Sequence, residues 1–127
     1  MIKRYKYSLI ISLIICYLCF KSSIDIEINV FNFPHIDKLV HLCMYFGFMS
    51  VLIFETFIIG KKKYSIIVLA LIPFLFGISI EILQGLLTTT RSADIYDVLF
   101  NTLGILLSVL IWLIINKLYP NLKQRGD

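Results

Sequence analysis

The chain reads as four long apolar runs separated by short charged or polar interruptions. The runs cover about Tyr7 to Phe20, Leu39 to Gly60, Tyr64 to Leu87 and Ile95 to Tyr119, and Leu, Ile, Val and Phe dominate all four. Side chains of this kind are what a helix presents to lipid, where the backbone must satisfy its own hydrogen bonds. At 1.5 Å per residue the last three runs are long enough for a hydrocarbon core about 30 Å thick. The pattern predicts an all-α integral membrane protein of four transmembrane helices, forming a single domain over residues 1–127. No internal repeat or low-complexity tract is visible.

The first run is short, so the flanking Tyr5, Tyr7 and Lys21 are expected to reach the interfaces. A basic start (Lys3, Arg4, Lys6) and a short apolar core are also features of a signal peptide. However, no small-x-small cleavage site follows. The exit is Phe20-Lys21-Ser22-Ser23, and no small residue precedes Cys16 or Cys19 as a lipoprotein site requires. An uncleaved span is therefore expected. Pro34 marks a break before the second span, and Pro73 is expected to kink the third. Only Lys61-Lys62-Lys63 separates spans two and three, which predicts a tight helical hairpin.

Composition supports this reading. The 127 residues are 59% hydrophobic and 16% charged, with a mean hydropathy of +0.90. A soluble domain has about a quarter of its residues charged. There is no room for a soluble catalytic domain beside the spans. The net charge of +4 fits loop lysines that set topology and not nucleic-acid binding. Cys16, Cys19 and Cys43 all lie in apolar segments. Their number is odd, their spacing fits no zinc ribbon, and no basic group adjoins them to activate a thiolate, so they read as small apolar filler.

Charge also predicts an orientation. Nine of the 12 basic residues fall before span one, between spans two and three, or after span four. The alternate loops carry Lys21, Lys38 and Arg91 mixed with Asp25, Glu27, Asp37, Asp94 and Asp97. The positive-inside rule then puts both termini and the triple lysine in the cytoplasm.

That topology brings scattered polar residues to one depth. Asp37, Lys38 and His41 share a face at the start of span two; Glu81 and Gln84 share one late in span three; Asp94, Asp97 and Asn101 form a stripe entering span four behind Arg91. All three groups arrive on the outer side. Intramembrane ionisable and amide groups are costly and mark functional sites by default. Four acids face two bases, Lys38 and Arg91, so internal pairing is incomplete and a cation, a proton or a hydrogen-bonding ligand is called for. Blander roles exist for single members. Ser92 or Asp94 can cap the fourth helix and Asp97 can stabilise its first turn. Asn101 alone can be interhelical glue, as can the close approach offered by Gly104 and Ser108. Glu55 lies toward the other end, within reach of the triple lysine, and reads as structural.

The ordered set Asp37-Lys38-x-x-His41, Glu81-x-x-Gln84 and Arg91-x-x-Asp94-x-x-Asp97-x-x-x-Asn101-x-x-Gly104 resembles the VanZ-like family of small bacterial membrane proteins, over about Pro34 to Ser108. This chain differs in carrying Thr88-Thr89-Thr90 where relatives often have Pro or Gly before the arginine, and Ser108 where they often have glycine. The resemblance implies a multi-pass protein of the bacterial cytoplasmic membrane and a shared site built from those nine motif residues before Gly104. The family's founder is associated with low-level resistance to the glycopeptide teicoplanin.

Three functions compete. In the first, a non-enzymatic envelope protein binds an amphiphile headgroup, a phospholipid, a lipid-linked cell-wall precursor or the acylated glycopeptide itself, with Lys38 and Arg91 on phosphate or carboxylate. In the second, a small membrane enzyme acts on such a lipid, with His41 as base oriented by Asp37 and Glu81 as a second acid or base. In the third, the chain is a proton- or ion-coupled transporter, which polar groups confined to one side argue against. The first is preferred. No cofactor and no metal is expected: a set of His35, His41 and acids departs from usual ligand sets. The expected partners are the bilayer and a lipid or lipid-linked ligand, with a homo-oligomer left open.

Overall fold

A computed structural model describes residues 5–21, 36–60, 64–87 and 94–120. Among these residues there is no strand. The elements are α1 (Lys6–Lys21), α2 (Ile36–Ile53), α3 (Ile66–Leu87) and α4 (Ile95–Leu118). A π-helical segment, Phe54–Ile59, prolongs α2 to Gly60. Three helices are long and apolar enough to cross a membrane: α2 with its π segment (24 residues), α3 (22) and α4 (24). The fourth, α1, is apolar but has only 16 residues. The helix bounds lie close to those expected from the apolar runs, and α3 continues through Pro73. The Lys21–Lys38 connection up to His35, the triple lysine, and the segment from Thr88 through Arg91 and Ser92 lie outside the described residues.

Side-chain contacts give the directions. His41 at the start of α2 meets Asn101 early in α4 and Glu81 late in α3. Glu55 at the far end of α2 meets Ser8 at the start of α1. Gln84 near the end of α3 meets Cys19 near the end of α1. Consecutive helices therefore run antiparallel.

The pairing of α2 with α4 is the most extensive. A Cβ added at Gly104 would fall 2.9 Å from Phe46 N and closer still to Leu42 O, so only glycine lets these backbones approach as they do. One turn further on, Ser50 Oγ donates to Phe46 O and lies 2.9 Å from Ser108 Oγ, which leaves Ser108 as the donor between the two hydroxyls. Phe57 stacks on Trp112 near the other end. Tyr45, Met49 and Ile105 fill the space between helices, while Ile67, Leu86 and Leu106 point outward. Large apolar side chains outside and polar ones inside suit a lipid surround: His41, Glu55, Glu81, Gln84, Asp97 and Asn101 are each at most 4% exposed.

Helix α1 is held at both ends by side chains of other helices. The Glu55 carboxylate accepts from Tyr7 N at 2.9 Å, from Ser8 N at 3.1 Å, and from Ser8 Oγ. Gln84 Nε2 donates to Cys19 O at 2.8 Å. The first N–H groups and last carbonyls of a helix have no intrahelical partner, and the N-terminus attracts negative charge. Charge counting along the chain makes the triple lysine the natural partner of Glu55. Among the described residues its partner is the start of α1, and the triple lysine lies outside them.

Candidate functional site

The site begins with two helix starts lying side by side. The first two turns of α2 carry Asp37, Lys38 and His41. Asp94 begins α4 from an extended backbone (φ −108°, ψ 119°), and its Oδ1 accepts from Tyr96 N at 2.8 Å. This is the cap expected of Asp94. With the start of α4 fixed there, Asp97 and Asn101 face α2.

Two sets of contacts follow. Lys38 Nζ lies 3.0 Å from Asp94 Oδ2 and 3.7 Å from Asp97 Oδ1, and 5.4 Å from the centre of the Tyr96 ring. Deeper in, His41 Nδ1 lies 3.0 Å from Asn101 Oδ1 and 3.9 Å from Glu81 Oε1, while His41 Nε2 lies 3.9 Å from Asp97 Oδ2. Asp37 is exposed at the mouth, and Asp37, His41 and Asp97 can each present a donor atom within 4.8 Å of the others. The Asn101 carbonyl oxygen can only accept, so with the amide in this orientation His41 Nδ1 is the donor.

Seven of the nine residues marked in the sequence thus meet: Asp37, Lys38, His41, Glu81, Asp94, Asp97 and Asn101. Gln84 bonds to the end of α1, as described above. Arg91 and His35 lie outside the described residues. In the enzyme reading Asp37 orients His41; the group on His41 Nδ1 is Asn101. An amide steers the ring as a carboxylate does but does not offset the charge of an imidazolium.

Tyr45 also belongs here and was not marked. It follows His41 by four residues on the same face and is fully buried. Tyr45 Oη and Asn101 Nδ2 have no hydrogen-bond partner among the described residues. Both border Gly77 of α3, where an added Cβ would lie 3.2 Å from each. The spacing from His41 was the available signal; a Tyr inside an apolar run otherwise reads as core.

Apolar helices enclosing a polar cluster shared by three of them are what a helical membrane protein presents. The chain belongs to the VanZ/LLP1 family, whose family model matches residues 3–116. No match was found among curated proteins or among solved structures.

Proposed function

We propose that the chain is a single-domain, four-span protein of the bacterial cytoplasmic membrane with both termini inside. Its polar site opens on the outer side and binds the headgroup of an amphiphile: a phospholipid, a lipid-linked cell-wall precursor or an acylated glycopeptide. The observation that carries this reading is the convergence of Lys38, His41, Glu81, Asp97 and Asn101 at one end of three lipid-facing helices, four of these five being nearly excluded from solvent. Burying such groups costs several kcal/mol unless they are satisfied. Apolar helix faces beside a polar cluster match the two halves of an amphiphile. The orientation rests on the nine basic residues that in sequence precede span one, separate spans two and three, or follow span four. Lys38 and Arg91 are the groups assigned to a phosphate or carboxylate. A glycopeptide-resistance role belongs to the same proposal, since an acylated glycopeptide is one such amphiphile.

Native mass spectrometry of lipid retained by the full chain tests it. Wild type is expected to hold a defined lipid class, and Arg91→Ala and Lys38→Ala to lose at least about tenfold in occupancy, the loss of one charge-assisted contact. Equal retention by all three proteins, or an unselected lipid mixture in each, sinks the reading.

A further inference from the structure

A groove of about 430 Å3 lies between α1, α2 and α3, at the end of the bundle away from His41. Phe48 and Leu52 of α2 are its buried floor. Leu9 and Ser12 of α1 form one wall, Val68 and Ile72 of α3 the other. Leu9, Val68 and Ile72 are each at least 50% exposed, so the groove opens sideways onto the medium around the helices. Tyr5 and Tyr64, just before the starts of α1 and α3, stand at its mouth. We propose that the groove holds one acyl chain of an anionic phospholipid, with its phosphate at the tyrosine end.

The lining selects hydrocarbon. Two serines lie on the α1 wall, but each hydroxyl already has its acceptor: Ser8 Oγ donates to Glu55, and Ser12 Oγ donates to Leu9 O at 2.8 Å. Beyond the mouth the remaining lining side chains are Leu, Val, Ile or Phe. A polar guest would leave its own groups unsatisfied there, a cost that an alkyl chain does not incur. The size suits one chain, since small-molecule sites hold about 300–1,000 Å3. From Tyr64 to Ile72 the groove runs roughly 12 Å along the helix, at 1.5 Å per residue. Tyrosines at the mouth fit the interface between hydrocarbon and headgroups.

Charge selects the lipid. Every charged residue from Met1 to Lys6 and from Lys61 to Tyr64 is basic: Lys3, Arg4, Lys6, Lys61, Lys62 and Lys63. These are the two stretches of sequence that carry the mouth tyrosines. Basic clusters next to membrane helices attract anionic lipid. Among the described residues the acid at this end is Glu55, which is fully buried and accepts from Tyr7 N and Ser8 N. A second copy of the chain is the poorer occupant. Inserted the same way in the same membrane, it brings the same six basic residues to the same level, where like charges repel. This site is separate from the headgroup site proposed above and does not rest on it.

The test adds lipid to the purified full chain in detergent and reads occupancy by native mass spectrometry. Phosphatidylglycerol is expected to bind at one per chain, at least about tenfold more tightly than phosphatidylcholine with the same acyl chains, the attraction of two or more basic groups. Val68→Trp and Ile72→Trp put a ring into the groove from half-exposed positions. Each is expected to keep the wild-type melting temperature and to lose at least about tenfold in phosphatidylglycerol binding. Leu106→Trp, on α4 and outside the groove, is expected to bind as wild type does. Lys6→Gln is expected to lose about fivefold for phosphatidylglycerol and nothing for phosphatidylcholine. Phosphatidylglycerol with a photoreactive group on its acyl chain reads the site without any substitution, and its label is expected on Leu9, Ser12, Val68 and Ile72. Equal affinity for the two lipids, binding by both groove variants equal to wild type, or label spread evenly over all four helices overturns the proposal. Self-association that is lost in the groove variants while lipid binding is unchanged also overturns it, and gives the face to a second copy. Label confined to the Lys38 end of α2 and α4 refutes the groove and leaves the headgroup reading intact. Label on the groove walls, with lipid retention untouched by Lys38→Ala and Arg91→Ala, does the reverse.

Discussion

Replacing Gly104 with alanine tests the packing that brings the two halves of the site together. The added Cβ would meet Phe46 N at 2.9 Å and Leu42 O at a shorter distance still, where ordinary contact begins at 3.4 Å. Both atoms are backbone, so neither can rotate away, and α4 must move from α2 by at least about 0.5 Å. A gap of that size forfeits roughly a quarter of the dispersion energy at each contact it opens. Overpacking of this kind costs about 1–3 kcal/mol, or about 5- to 150-fold in the folding equilibrium. The same shift would lengthen the 3.0 Å His41–Asn101 contact to the edge of a hydrogen bond, so ligand binding is expected to weaken with stability. Unfolding in detergent, followed by heat or denaturant, gives the comparison. Gly47→Ala is the control, because an added Cβ there meets nothing within 4 Å; its effect should stay within about 0.5 kcal/mol. Gly77→Ala should fall between the two, since its neighbours at 3.1–3.2 Å are side-chain atoms of Tyr45 and Asn101. If Gly104→Ala is as stable as Gly47→Ala, the close crossing of α2 and α4 is wrong, and with it the geometry of the site.

Two further outcomes follow from the buried and half-buried charges. Glu55→Ala removes the acceptor of Tyr7 N and Ser8 N and is expected to destabilise the docking of α1 by about 1.5–3 kcal/mol, the range for bonds to a charged group. Hydrogen exchange in the first turn of α1 should rise by at least about tenfold, and unchanged exchange would show that the carboxylate does not anchor it. A double-mutant cycle on Lys38 and Asp94 is expected to give only about 0.2–1 kcal/mol of coupling, because the Asp94 side chain is 40% exposed. Asp94→Ala should cost about 1 kcal/mol more than Asp94→Asn through loss of the α4 cap, and equal stabilities would remove that role.

Much of the site could be read from the chain because it depends on local rules. Residues three, four and seven apart share a helix face, so the stripes containing His41, Glu81 and Asn101 were visible as soon as the apolar runs were read as helices. The depth of each stripe follows from the rise per residue, and so does the meeting of three stripes at one level. Partner choice does not follow from periodicity. Gln84 shares a face with Glu81, yet its amide reaches the Cys19 carbonyl, because the end of α1 offers an unsatisfied acceptor that no pattern of side chains records. Glu55 shows the same limit: its bonds to the backbone N–H groups of Tyr7 and Ser8, which carry no formal charge, leave no trace in charge counting. Tyr45 was hidden for a different reason. Its hydroxyl becomes informative only when burial is known, and an apolar run gives no sign of which aromatic ring lies beneath a histidine.

The two-ended fastening of α1 also sets an order of manufacture. Helix α1 leaves the ribosome before α2, α3 and α4, but the side chain that meets its start lies 47 residues further along, and the one that meets its end lies 65 residues further along. At about 5–20 residues per second, the Cys19 carbonyl waits roughly 3–13 s for Gln84 to be made. Until then α1 carries bare backbone ends into an environment where each unsatisfied group costs several kcal/mol. Of the four helices the first to be made thus waits until the end of α3 before both its ends are held, and a chain cut short before Gln84 would leave it without its second contact.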